Sequence, residues 1–264
     1  MRNGMNLRLS VGCTACLGVF AWLLAAGAGW ASDPASPGGA ELTDAKEVLK
    51  KADEAVRKVG TVSYSATAKS TGWLESRAPS AEGTAVLSGK GKTQQDMAKF
   101  LIKVKSTPPG SSEPVEITGG SDGETFFLID PATKTVYEDI DPAVMGKNMR
   151  LIQGLMARCF TLEEPFADEL KAEKVELRDS VKVGDDDCYQ VAIPNPNGQG
   201  ESIWYFAKKD FLPRRRDRIM VNPAGEKGSR EVNLADLKVD PALEGNPFKA
   251  VTPEGFKKTD DFAP

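Results

Sequence analysis

The chain contains no histidine. Imidazole is the usual general base beside a serine or cysteine nucleophile, and it is the commonest protein ligand of transition metals. Its absence removes Ser-His-Asp and Cys-His catalysis and His-ligated zinc, copper or haem. An enzyme built on this chain would have to use carboxylates, lysine, tyrosine or a bound cofactor. Cysteine is scarce as well, with four in the whole chain. An excess of positive charge is also missing. Lys and Arg total 34 against 38 Asp and Glu, a formal net charge of -4. Nucleic-acid binders carry a basic footprint, so this balance speaks against one. What remains is an ordinary globular composition over 264 residues, 40% hydrophobic and 27% charged. That is enough for a sizeable core in one large domain or two small ones.

The start of the chain reads as a targeting segment. Arg2 and Arg8 make a positive head, and an apolar run follows from Val11 to Ala28, densest from Leu17 to Ala26. Small residues then offer cleavage after Ala28 or Ala31. This is the architecture of a secretory signal peptide. An uncleaved membrane anchor is the rival, but the dense part is short for a span of about 20 residues. Ser10-Val11-Gly12-Cys13 faintly resembles a lipobox, yet the apolar run follows Cys13 instead of preceding it. The expected organisation is a signal peptide at 1–31, a flexible leader at 32–40 and a single domain at 41–264. Cys13 and Cys16 leave with the signal. Cys159 and Cys188 remain, in a compartment that permits disulfides. Only one pairing of the two exists, and sequence does not supply the distance that decides it. Cys159 also falls on an apolar helix stripe, where it reads as a small buried hydrophobe.

The mature part opens with a helix over about 43–59. Ala45, Val48, Leu49, Ala52, Ala55, Val56 and Val59 form one apolar stripe, Asp44 or Thr43 caps it and Gly60 stops it. A β-region follows. Val62, Tyr64, Ala66 and Ala68 alternate with polar residues, and Phe100, Ile102 and Val104 alternate with Leu101, Lys103 and Lys105. Shorter strands are expected at 85–88 and 115–118. Ser121-Asp122-Gly123 and Asp130-Pro131-Ala132-Thr133 are turns around strands at 125–129 and 134–138. A second helix interrupts the sheet, with Asp141 as N-cap and Pro142 in its first turn. Met145, Met149, Ile152, Met156 and Cys159 share its stripe, widened by Val144, Leu151 and Leu155. The methionines suit either core packing or an adaptable apolar lining. After a short helix or irregular crossover at 162–170, strands are expected at 175–183, 187–193, 202–207, 214–221 and 229–239. Turn-forming residues separate them at meander spacing.

Asp185-Asp186-Asp187 lacks the spaced ligands of a calcium loop and reads as an acidic turn. Arg214, Arg216 and Arg218 would share one strand face, with Arg215 and Asp217 on the other. They form either a solvated strand or a set of donors for a ligand headgroup or a lid carbonyl. No catalytic motif of useful specificity is present, and no cofactor is implied.

The order of parts, with Asp122-Gly123-Glu124-Thr125-Phe126-Phe127-Leu128-Ile129-Asp130-Pro131, Ile203-Trp204-Tyr205-Phe206, Phe211-Leu212-Pro213-Arg214-Arg215 and Pro253-Glu254-Gly255-Phe256, resembles the LolA-type outer-membrane lipoprotein carrier superfamily and its periplasmic relatives. The resemblance covers most of 41–257. It implies an α+β fold that is mainly antiparallel β, a strongly curved incomplete β-barrel with helices lidding the concave face. Carrier members of that family hold lipoprotein acyl chains there, and others sense lipids or regulate envelope stress signalling. The implied function is a non-catalytic periplasmic carrier or binder of lipid or lipoprotein acyl chains. The alternative is an envelope-sensing module that acts through a partner. Possible partners are envelope lipoproteins and membrane-associated delivery or acceptor proteins. A single family arginine bridging sheet to lid is not identifiable among the four in the run. On this fold the expected concave wall is Val62, Tyr64, Phe100, Ile102, Val104, Phe127, Ile129, Tyr189, Val191, Ile203 and Tyr205. Met145, Met149, Ile152 and Met156 are expected on the lid. Alternation cannot prove that all these faces coincide, and a one-residue error would exchange Ile203 and Tyr205 for Trp204 and Phe206.

Overall fold

The computed structural model describes residues 41–262 apart from 93–97, 109–110, 142, 144–145 and 196–197. Helix α1 spans Ala45–Arg57. Asp44 caps it, its Oδ1 accepting from the Glu47 amide at 2.8 Å. At the other end Lys90 Nζ donates to the Val56 carbonyl at 2.6 Å, placing a cation where the helix dipole is negative. Val48, Leu49, Ala52 and Val56 are fully buried, so the expected stripe is the packed face.

Twelve strands form one sheet. They are β1 (Thr61–Gly72), β2 (Ala81–Ser88), β3 (Lys99–Ser106), β4 (Val115–Ser121), β5 (Phe126–Asp130), β6 (Thr135–Glu138), β7 (Glu176–Val183), β8 (Asp186–Pro194), β9 (Gly200–Ala207), β10 (Pro213–Val221), β11 (Lys227–Val239) and β12 (Lys257–Thr259). Their order is β12-β6-β5-β4-β3-β2-β1-β11-β10-β9-β8-β7. Every neighbouring pair is antiparallel except β12 and β6, which are parallel. The sheet is two meanders joined where β1 pairs with β11, and it stays open between β12 and β7. This is the expected α+β class, mainly antiparallel and not closed into a barrel.

The helices interrupt the meander between β6 and β7. Helix α2 covers Gly146–Leu155, a 3-10 turn follows at Arg158–Thr161, and α3 covers Ala167–Lys171. Helix α2 begins later than expected. Asp141 does not cap it; its Oδ1 accepts from the Ala143 amide in a local turn. Helix α1 is tied to the α3 approach by buried Asp53, which accepts from the Phe166 amide and pairs with Arg57 Nε at 2.5 Å. One apolar cluster unites the stripe of α1, the buried residues of α2 and one face of the sheet. The parallel β12 was not legible, because the segment before it is punctuated by Pro and Gly.

Candidate functional site

The helix-covered face is built strand by strand. Val62 and Tyr64 on β1, Phe100, Ile102 and Val104 on β3, and Tyr189 and Val191 on β8 all join the cluster beneath the helices. On these strands alternation fixes the face because the opposite positions, Leu101 apart, are polar or small. Met149 and Ile152 of α2 join the same cluster, and Met156 packs against it. Met145 lies outside the described residues.

Four wall positions are on the other face. Ile203 and Tyr205 sit with Cys188, Ala192 and Ala207 in a second apolar cluster on the opposite side of the sheet. Their places beneath the helices are taken by Trp204 and Phe206. Both faces of β9 are apolar, so periodicity carries no sign there. Phe127 is buried but stands against Gly120, outside the helix-covered cluster, and half-buried Ile129 shares its side. Inside, Phe126 meets Phe100 edge-on at 5.5 Å and Leu128 is fully buried. Again a run of four apolar residues hid the register. The two cysteines are separated in the same way. Cys159 belongs to the helix-side cluster and Cys188 to the opposite one, and both are free thiols. The possible Cys159–Cys188 bridge is therefore not made.

Helix α2 sits flush on the sheet. Ile152 and Leu155 are fully buried. A Cβ at Gly119 would stand 2.2 Å from Ile152 Cδ1, and one at Gly83 would stand 3.0 Å from Leu155 Cδ1. Two glycines thus create the flat places on β4 and β2 that seat the helix. The expected hollow is filled at this point by the lid's own side chains. Among the described residues a tyrosine makes a polar tie between the end of α2 and the sheet. Tyr64 Oη donates to the Leu155 carbonyl at 3.0 Å and accepts from the Ala157 amide at 2.7 Å. The hydroxyl satisfies both a donor and an acceptor at the frayed end of α2. Burial raises its pKa well above the ordinary phenol value, so it stays protonated and able to donate. Sequence reading placed Tyr64 on the wall but missed its polar role, for which no local motif exists.

The other half of this face is aromatic and basic. Fully buried Phe166 meets Trp204 at 5.1 Å and Phe206 at 5.3 Å, both edge-on. The Arg216 guanidinium lies 4.4 Å above the Trp204 ring. Glu169 Oε1 accepts from Trp204 Nε1 at 3.3 Å. Arg216 Nη2 reaches Ser202 Oγ at 3.4 Å, while its buried Nε has no partner. Arg218 pairs across strands with Arg230. Arg230 donates to Ser70 Oγ at 2.9 Å and to the Ala78 carbonyl at 3.1 Å, and its Nη2 would be 2.6 Å from a Cβ at Gly154 of α2. Burial lowers the pKa of Arg216 and of Arg230, and the charge of Arg218 lowers each further.

Arg214 departs from the expected face. A bulge between Pro213 and Arg215 makes it the extra residue. It is buried, bonded to Asp186 at 2.6 Å and to Asp210 at 2.5 Å. Asp186 also pairs with Lys209 at 2.5 Å, so the acidic turn is neutralised by structural cations. Among the described residues no group of three or more metal-capable side chains exists, and no helix is long and apolar enough to cross a membrane. Two clefts of about 460 Å³ lie elsewhere, one beside Trp73 and Met220, the other between α1 and Phe211.

No protein-family model and no curated protein matches the chain. Solved structures do. LprF from Mycobacterium bovis aligns over 78% of this chain and 97% of its own at 11% identity, with a TM-score of 0.47. The Mycobacterium tuberculosis lipoprotein LppX aligns over 75% and 96% at 10% identity, with a TM-score of 0.45. A LolA superfamily protein from Nitrosomonas europaea aligns over 80% and 99% at 14% identity, with a TM-score of 0.29.

Proposed function

We propose that this chain is an exported, non-catalytic binder of amphiphiles, whose acyl chains enter between α2 and the helix-covered face of the open sheet. On this reading residues 1–31 direct export to the periplasm and are removed. One observation carries the proposal. A ten-residue helix covers a large apolar sheet face, and the Tyr64 hydroxyl ties the end of the helix to that face. Lifting the helix exchanges Ile152 and Leu155 for hydrocarbon of like polarity, so the exchange costs little transfer free energy. Met149 and Met156 adapt to differing chains because unbranched thioethers repack readily. Phe100, Ile102 and Val104, with Val62, Tyr64, Phe126 and Leu128, then form the wall that the chains meet. Tyr189 and Val191, with Trp204 and Phe206, extend it.

The test is native mass spectrometry of protein purified from the periplasm, followed by solvent extraction. Co-purified lipid, and uptake of a fluorescent fatty-acyl probe by the delipidated chain, are the expected results. A lipid-free chain that takes up no probe sinks the proposal.

A further inference from the structure

The basic end of the helix-covered face has a feature that acyl-chain binding does not use. Arg216, Arg218 and Arg230 lie on one face of β10 and β11, with Arg218 next to both of the others. Burying guanidinium groups side by side is costly without an opposing charge. The compensation present is incomplete. Arg216 has the Trp204 ring and the nearby Glu169 carboxylate, yet its buried Nε remains without an acceptor. Arg230 is held by neutral oxygens of Ser70, Ala78 and Pro79. Arg218 is exposed, and among the described residues no carboxylate pairs with it, whereas its neighbour Arg215 takes both Asp217 and Glu231. By contrast Arg214 and Arg215, on the opposite side, are each bonded to two carboxylates. The chain therefore neutralises its outer arginines and leaves the inner three short of negative charge.

We propose that Arg216, Arg218 and Arg230 form an anion site that takes a phosphate group, with Arg218 as its solvent-facing entrance. Guanidinium forks suit phosphate oxygens because they offer paired, charge-assisted donors. The location gives the site its meaning. Arg230 abuts α2 at Gly154, at the same helix end that Tyr64 holds. A phosphate there would sit at the lid's edge while attached acyl chains ran beneath the lid. In this respect the inference rests on the amphiphile reading above. The phosphate could equally arrive free, and the experiment separates the two sources.

The exported chain is titrated with lysophosphatidic acid, with monoacylglycerol of the same chain length, and with inorganic phosphate alone. Calorimetry and tryptophan fluorescence are the readouts. Arg218→Glu is the test variant; the residue is exposed, so the fold should survive. Lys69→Glu, an exposed position on the other side of β1, controls for net charge. Lysophosphatidic acid should bind about tenfold or more tighter than monoacylglycerol. Arg218→Glu should abolish that preference and Lys69→Glu should not. Phosphate binding that Arg218→Glu removes, with neither lipid bound, keeps the site but overturns the acyl-chain reading. Equal binding of the two lipids with no phosphate binding overturns the site and leaves that reading standing. No binding of any probe overturns both.

Discussion

From β2 to β5 the helix-covered face is aliphatic and phenyl-lined, floored by glycines, and α2 lies on it through Ile152 and Leu155. From β8 to β11 the same face carries Trp204, Phe206 and three arginines; α1 and Phe166 pack on it from above, and the end of α2 reaches it at Arg230. The outer faces differ in the opposite sense. Around Lys103 and Lys105 the outside is solvated, whereas on β8 and β9 a second apolar cluster lies there under an Arg215–Asp217–Glu231 network. One half thus has the surface that hydrocarbon needs, and the other has donors that suit a polar headgroup. An amphiphile matches both halves at once, which is why the two proposals fit on one face.

The strongest test of this division is Ile152→Glu. The site is fully buried against Gly119, so the variant loses the side chain's packing and buries a charge without a partner. A loss of about 4 kcal/mol or more is expected by chemical denaturation. If the variant stays folded by circular dichroism and binds a fluorescent acyl probe as well as wild type, α2 is not the lid over the aliphatic half.

Next in size is a pair on one strand. Trp204→Ala removes the ring that Phe166 and Arg216 both use and should cost about 3–5 kcal/mol. Tyr205→Phe removes only an outer hydroxyl bond to Asp217, which keeps Arg215, and should cost about 1 kcal/mol or less. Denaturant midpoints in the reverse order would return Tyr205 to the functional face.

That pair also marks the limit of what the sequence reveals. The meander arrangement, the antiparallel pairing and α1 were legible, since turn residues, period-2 alternation and the 3.6-residue stripe are local signals, whereas the openness of the sheet was implied only by the family resemblance. So were the faces of β1, β3 and β8. On β5 and β9 four consecutive apolar residues are covered on both sides, and alternation cannot tell inside from outside. The bulge that turns Arg214 outward was invisible for a related reason. There Arg214 meets Asp186, at the turn from β7 into β8, and Asp210, in the turn between β9 and β10. Tyr64 as lid clamp depends on a contact 91 residues away in sequence.

Tyr64→Phe tests that clamp. It leaves the Leu155 carbonyl and the Ala157 amide without their partner, a loss of about 1–3 kcal/mol. Hydrogen exchange should quicken over α2 and the following turn, and hardly at all over β8 and β9. Equal quickening in both halves would mean that the lid does not open separately from the fold.

The smallest effect uses one thiol from each cluster. Burial pushes Cys159 up to about 12 and Cys188 up to about 11, from an ordinary value of 9.0. Both groups hold their proton more tightly folded than unfolded. Their contribution is therefore complete below pH 9 and is lost as pH rises through the folded values. At pH 10 each thiol should have lost about 1 kcal/mol of its contribution. Replacing either cysteine by alanine should flatten the fall in stability between pH 9 and 11, measured against each variant's own value at pH 8. Non-reducing peptide mapping should find Cys159 and Cys188 as free thiols, since they occupy opposite faces of the sheet. A bridge between them would require β8 to turn over, and would undo the assignment of inner and outer faces from which the comparison starts.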